Sequence, residues 1–416
     1  MSIVLFEDDR VRQLDPVAVG KPAFAISCGG YRLFDIVGEL SATAGVRVRP
    51  HLAEIVAADF PQFAGQAADS SGPTLWINAR LAPSIKAIEK LAALLKAGQP
   101  GIVRTDTSVA AALVPAGSPL EIAPGALPSD EDFAALGLPP LSVELPLFEY
   151  PHDIIRHHLT TFSANLEHRL ARGGYRQLSD GVFVAANATL GQYCVTDTSK
   201  GPIVLAEGAT IGPHCYLSGP VYVGPRARVL EHAALKDGVA IGYTAKVGGE
   251  VEASIIERYT NKQHHGFLGH SYLGSWINLG AGTCNSDLKN TYGQVNMEYH
   301  GQKVATGMQF VGAIIGDYAK TAINTGIFTG KTIGVCSMVY GFVTTNVPSF
   351  VNYARLFGQV SEAPVEVLIA TSRRMFERRG VVQRPVDVQL LRDMHELTAH
   401  ERQRTGETLS LEPLSL

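Results

Sequence analysis

At 416 residues, with 46% hydrophobic and 18% charged residues, the chain has the make-up of a globular protein of two or three domains. A formal net charge of −4 with dispersed Lys and Arg, apart from Arg373, Arg374, Arg378 and Arg379, argues against a nucleic-acid partner, and no run reaches the roughly 18 apolar residues of a membrane span. The acidic start after Phe6 and five scattered cysteines without CxxC spacing read as a cytoplasmic protein with free thiols, without a signal peptide, disulfide framework or metal site.

Residues 1–148 read as an α/β domain. Ile3–Phe6 and Thr74–Ile77 are short apolar strands, and Val46 and Val48 alternate with Arg47 and Arg49 like a third. Leu33–Leu40 predicts a helix. Ile85, Ile88, Leu91 and Leu95 give Ser84–Lys96 helical spacing. Strands alternating with helices predict a mainly parallel sheet. The Pro-, Gly- and Ala-rich stretch 114–148 reads as an irregular connection. Residues 149–178 predict a spacer helix, with one stripe of Ile155, Leu159, Phe162, Leu166 and Leu170, stopped by Gly173-Gly174.

Residues 179–350 follow a different rule. Leu205, Ile211, Leu217, Val223, Val229, Leu235, Ile241 and Val247 recur at every sixth position. Neither a helix nor an alternating strand has this period; a parallel β-helix of hexapeptides does. The aliphatic side chain points into a triangular prism, and the adjacent Gly212, Gly224, Gly242 and Gly248 let the chain turn its corners. Enzymes built this way are mostly trimeric acyltransferases. The repeat is predicted to start near Val182 and to break over Val251–Gly266. It resumes at Leu268, Leu273 and Leu279, breaks again over Cys284–Thr306, and returns at Ile315, Thr321, Ile327, Ile333 and Val339. In the tail, 351–416, Ser361–Arg379 predicts a helix with Ser361 as N-cap, Pro385–Gln403 a second, and the last dozen residues read as loose.

The densest polar cluster, Asn261–His270, lies at the first break, and Asn278–Asp287 follows it. Acyl transfer from a thioester to an amine needs a base that works near neutrality, donors for an oxyanion, and amides to orient a sugar. A His-rich turn and a Gly-rich turn offer these. A metal reading of His264, His265 and His270 is weaker, because their spacing carries no ligand geometry.

These stretches resemble the acetyltransferase domain of the bifunctional N-acetylglucosamine-1-phosphate uridyltransferase/glucosamine-1-phosphate acetyltransferase family. The match runs without a gap from His264 to Thr283 and resumes at Cys284-Asn285-Ser286-Asp287 after a two-residue deletion. With Leu75–Asn78, Tyr150–Ile155 and Gly248–Ser254 the chain more closely resembles a shorter, divergent branch of that family, the sugar nucleotidyltransferases, over roughly residues 1–380. The resemblance implies a left-handed β-helix, a homotrimer, acetyl-CoA as acyl donor, an amino-sugar phosphate acceptor and a place in UDP-N-acetylglucosamine biosynthesis. It implies His264 as general base and Phe267 in place of a substrate-binding Tyr. Asn278 and Asn285 fall on sugar-contacting positions, and Lys236 on a phosphate-binding one. Ala281 and Ala313 match the acetyl-CoA site, and Lys289 matches a basic residue beside it. Ser254 stands where the family has a Lys, for which Lys262 or Arg258 is a substitute.

The N-terminal half departs further. The resemblance places Arg12 and Lys21 where the family binds the phosphates of a nucleoside triphosphate, and Asn78 where it holds Mg²⁺ with an Asp. Phe6-Glu7-Asp8-Asp9 stands where the family has a Gly-rich phosphate loop. Acidic side chains without glycine cannot cradle a triphosphate through backbone N–H groups. Three functions stay open on the sequence: acyl transfer with nucleotidyl transfer reduced or lost, an active nucleotidyltransferase trimerised by its β-helix, and a silent sugar-nucleotide-binding scaffold. Mg²⁺ enters only if the N-terminal domain is active.

Overall fold

The computed structural model describes residues 2–40, 44–63, 72–118, 120, 122–123 and 125–404. The chain divides into two compact units, Met1–Ile154 and Ile155–Leu416. The first is built on a five-stranded sheet of β1 (Ser2–Phe6), β2 (Ala44–Arg47), β3 (Thr74–Asn78), β4 (Gly101–Arg104) and β5 (Val109–Val114) in the order β2-β1-β3-β5-β4. The pairs of β1 with β2 and β3 are parallel, but β5 runs antiparallel to both β3 and β4, so the sheet is mixed and not mainly parallel. The cause is the tight connection Thr105–Ser108, which sends β5 straight back along β4; a parallel return needs a long crossover. The helices are α1 (Leu33–Val37), α2 (Ala53–Asp59), α3 (Ile85–Ala97) and α4 (Asp130–Ala135). Ser84 caps α3 by accepting from the Ala87 N–H, and Gly98 ends it at φ 63°. The stretch expected to be irregular thus holds α4, capped by Ser129, whose Phe133 packs on Phe6 and Trp76 with ring centroids 5.0 and 6.1 Å apart.

The long helix α5 (Pro151–Ala171) ends before Gly173 and Gly174, both left-handed at φ 87° and 85°. Phe162 and Leu166, within the second unit, are buried against Val204 and Ala240 of the solenoid. Leu159, placed on the same stripe by the sequence, is 37% exposed.

The second unit is a parallel β-solenoid with three sheets. The first face stacks Val182–Val184, Ile203–Leu205, Val221–Val223, Val239–Ile241, Ile255–Ile256, Tyr272–Leu273, Ala313–Ile315 and Lys331–Ile333, and Arg176–Ser179 caps it antiparallel. The second runs from Thr189–Leu190 to Asn261–Lys262, continues through a bridge at Asn278, and ends with Lys320–Thr321, Met338–Val339 and Val351–Ala354. The third stacks Val195–Asp197, Tyr216–Ser218, Ala234–Lys236, Glu250–Glu252 and Phe267–Gly269; Cys284–Asn285, Gly326–Ile327 and Phe342–Val343 form a further short sheet. All eight aliphatic residues from Leu205 to Val247 are buried in one core. Burying such side chains stabilises by roughly 1.5–3 kcal/mol each.

Two features differ from the reading of the repeat. Gly212, Gly224, Gly242 and Gly248 are not the left-handed residues of the corners; residues with side chains take that conformation beside them, as at Thr244 (φ 57°) and Tyr259 (φ 61°). The glycines instead let coils stack closely: a Cβ on Gly224 would lie 2.5 Å from the Ile241 carbonyl oxygen. Nor does the solenoid break at Val251–Gly266. Val251, Ile256 and Lys262 pair in register with Leu235, Ile241 and Val247, so one coil is merely two or three residues shorter than three hexads. The second interruption is a true insertion that carries the antiparallel hairpin Asn296–Tyr299/Gln302–Ala305. After the last strands, Ser361 lies in a strand, Gln359–Glu362, and Pro364 is the N-cap of α6 (Val365–Glu377). Helices α7 (Pro385–Leu397) and α8 (Ala399–Arg404) follow, and the loose end expected from the sequence lies outside the described residues. No helix among the described residues is long and apolar enough to cross a membrane.

Candidate functional site

His264 sits in the corner between the second and third faces, after Asn261–Lys262 and before Phe267–Gly269, and its side chain is exposed. Its Nε2 lies 3.3 Å from Gln263 Nε2. The corner is fixed from within. Lys262 takes an inward position where the preceding coil has Val247, and it is 2% exposed. Its Nζ donates to the carbonyls of Gly248 and His264, both at 2.8 Å. Lys262 therefore cannot serve as a surface phosphate ligand.

Burial lowers the Lys262 ammonium from 10.5 to about 8. Between pH 8 and 10.5 the unfolded chain then binds a proton that the folded chain does not, so stability rises with pH across that window. The Lys262→Met variant is expected to lose about 3 kcal/mol of that rise. Urea midpoints of both proteins at pH 7.5 and 10 check it; parallel curves would refute it.

The Gly280–Thr283 turn stacks on the His264 corner, with the Gly282 N–H donating to the His265 carbonyl at 3.1 Å. Ala281 is half-buried there. The N–H groups of Gly280, Gly282 and Thr283 are all given to acceptors inside the solenoid. This Gly-rich turn thus does not hold those three donors ready for an oxyanion.

The other sequence-derived positions spread over the prism. Phe267 is half-buried on the third face, in register with Glu250, and its N–H faces the Sγ of the exposed Cys284 at 3.4 Å. Lys236 is on the same face, but Glu250 at 2.5 Å and Glu252 at 3.5 Å already neutralise it. Asn285 is buried, accepting from the Gly269 N–H at 2.9 Å and donating to the Gly269 and Ser286 carbonyls, so its amide braces the backbone. Asn278 is exposed on the second face, where it accepts from Asn261 Nδ2. Lys289 donates to the Gln294 carbonyl within the inserted loop. Ala313 lies in the hydrophobic core, its N–H on Ser271 Oγ. Of these residues, only His264, Ala281 and Phe267 share the neighbourhood of one corner.

Sequence reasoning missed the partners that define these environments. Lys262 would have been recognised as an interior residue by carrying the register on from Val247. The pair His270 Nδ1–Asp287 Oδ2 at 2.8 Å, with His270 stacked on Phe310, had no local signal because the partners are joined by the solenoid alone.

In the first unit, the turn after β1 is occupied by its own acidic side chains. Glu7 is fully buried and accepts from the Ala23 and Arg49 backbone N–H groups and from the Arg49 guanidinium at 3.0 and 3.2 Å. Asp8 receives the fully buried Arg80 at 2.9 and 2.8 Å, and Asn78 Nδ2 at 2.8 Å. Asn78 Oδ1 accepts from the Arg80 N–H. Burial acts first on Asp8 and raises its pKa, but the bonds and charge of Arg80, with Asn78 and Ser108, hold it below the usual carboxylate value. With these oxygens spent on protein donors, Asp8 and Asn78 do not fit a hard divalent cation. Arg12 is exposed and Lys21 half-buried. Among the described residues there is no cluster of three His, Cys, Asp or Glu side chains that could hold a metal.

Residues 3–171 match the sugar nucleotidyl transferase family. The match ends where α5 ends. A bifunctional sugar-1-phosphate nucleotidylyltransferase/acetyltransferase of Sulfurisphaera tokodaii is 29% identical over 153 residues, 35% of this chain and 37% of that protein. The bifunctional protein GlmU of Nitrosospira multiformis is 35% identical over 119 residues, 28% of this chain and 24% of its own length. The chain thus spans about a quarter to just over a third of the length of these relatives. Among solved structures, the UDP-N-acetylglucosamine acyltransferase of Francisella novicida matches 54% of this chain and 76% of its own at 17% identity and a TM-score of 0.30.

Proposed function

We propose that the solenoid unit transfers an acetyl group from acetyl-CoA to the amine of an amino-sugar 1-phosphate, with His264 as general base, in the cytoplasm. The observation that carries this reading is the exposed His264 imidazole on a corner whose backbone is held by a buried ammonium. The amine nitrogen attacks the thioester carbonyl, and the N–C bond forms as His264 takes the proton. The C–S bond then breaks and the CoA thiolate leaves. Phe267, Ala281 and the exposed Asn278 are uncharged sequence-matched groups near enough to solvent to meet a ligand without unfolding the coil. Lys236, compensated by two carboxylates, is a poor phosphate anchor, and Lys289 in the inserted loop is the better one. We further propose a homotrimer, since the third sheet turns Val195 and Tyr216, and the short sheet Phe342, outward at 60%, 38% and 54% exposure.

The first unit is proposed to have lost pyrophosphorylase chemistry, because Glu7–Arg49 and Asp8–Arg80 fill the turn that would cradle a triphosphate. Purified protein assayed with acetyl-CoA and glucosamine 1-phosphate, then with UTP and N-acetylglucosamine 1-phosphate, separates the activities. CoA release in the first assay, no pyrophosphate in the second, and a trimeric mass by light scattering are expected. Robust Mg²⁺-dependent pyrophosphate release would overturn the reading of the first unit. Absence of CoA release with any amino-sugar phosphate would overturn that of the second.

A further inference from the structure

The corner between the first and second faces is chemically unlike the His264 corner. Arg228 and Lys246 are register partners on adjacent strands of the second face, and Asn261 follows Lys246 in the same outward row. Arg379, just beyond α6, reaches this row. Its guanidinium donates to the Thr244 carbonyl at 3.2 Å and to Asn261 Oδ1 at 3.4 Å. Both acceptors are uncharged. The Nε–H and the second hydrogen of each terminal nitrogen are left over. Arg379 is held in place by Phe376, which stacks on Trp276 at 4.3 Å, and Trp276 stacks on Tyr259 at 4.2 Å. Arg378 precedes it.

Among the described residues, no carboxylate forms an ion pair with any of these four cations. Lys246 is lowered from its usual value by burial and then by Arg379, Arg228 and Arg378; Arg379 is lowered by burial and then by Arg378. A chain of net charge −4 therefore gathers four cations at one vertex and leaves them repelling each other. Such an arrangement costs stability unless an anion completes it.

We propose that this vertex is an anion-binding site for the phosphate group of a phosphorylated small molecule, with Arg379 and Lys246 as the direct ligands and Arg228 and Arg378 deepening the positive potential. A guanidinium with three uncommitted N–H groups suits a tetrahedral oxyanion, and the ammonium beside it adds a point charge. The site is one prism vertex away from His264 and does not depend on the acyl-transfer reading. A free sugar phosphate, coenzyme A and a nucleotide each carry such a phosphate, and the chemistry that recognises it is shared.

The test is thermal unfolding of the full chain at constant ionic strength, with inorganic phosphate, coenzyme A or UTP replacing sodium chloride. Wild type is expected to gain a few degrees with at least one of the three. Arg379→Gln and Lys246→Gln are expected to abolish that gain. Without ligand, both variants should melt at or above the wild-type temperature, because each removes a repelling charge. The probe giving the largest gain identifies the carrier of the phosphate. Equal gains in wild type and variants, no gain with any probe, or ligand-free variants melting well below wild type would each overturn the proposal.

Discussion

His264→Ala is expected to lower kcat for acyl transfer by roughly 10²–10⁴-fold, the usual contribution of a positioned general base. The side chain is exposed and lies against Gln263, so its removal leaves the core untouched. The backbone of the corner is held by Lys262 on the His264 carbonyl, a bond the substitution keeps. KM for acetyl-CoA should therefore stay near the wild-type value while kcat collapses. His265→Ala is a control on the same corner, and His270→Ala one at the other end of the strand, where the imidazole is bound to Asp287. Steady-state kinetics with a verified acceptor decide the matter. Full turnover by His264→Ala, or a dead His270→Ala, would move the reaction to the His270–Asp287 pair.

Arg80→Leu should destabilise the first unit by about 3–5 kcal/mol, the usual effect of removing one partner of a buried ion pair. Arg80 is 0% exposed and donates to both Asp8 oxygens, to the Phe148 carbonyl and to Ser108 Oγ. Leu would leave the Asp8 carboxylate buried with the neutral donors Asn78 and Ser108 in place of a cation. Because the folded Asp8 carboxyl lies below its ordinary value of 3.8, its stabilising effect is present above that pH and is lost as pH falls through the lowered value. The penalty of Arg80→Leu is thus full at neutral pH and shrinks in acid. Urea unfolding followed by Trp76 fluorescence in a Trp276→Phe background reads the first unit alone. A loss under about 1 kcal/mol at pH 7 would show that the pair is not a buried brace.

Much of the architecture was legible because its cause is local. The six-residue period follows directly from one inward aliphatic per strand, and α3 announced itself through Ser84 and its apolar spacing. The β4–β5 return was missed because Val109–Val114 is alanine-rich and weak in β propensity. The apparent break at Val251 was a matter of counting: a shortened coil shifts the phase of the hexads without ending them. The site was legible only in part. His264 is marked by its neighbours in sequence, whereas the neutralisation of Lys236 by Glu250 and Glu252, and the burial of Asn285 beneath Gly269, depend on which coil lies above which. Such pairings have no expression in a linear pattern.

Coils of equal length are interchangeable to their neighbours. From Ile203 to Val247, a strand docked one storey too high would still present an aliphatic residue to the core, and little would reject the error. The short coil ends that degeneracy. Its spacing fits one storey, its inward ammonium finds two carbonyl partners at the Gly248 and His264 positions, and the inserted hairpin above it fits no other level. The irregular storeys therefore act as an index mark on a ruler. Folding can begin anywhere in the regular half, but the count of storeys is settled at Lys262, on the same corner that carries His264.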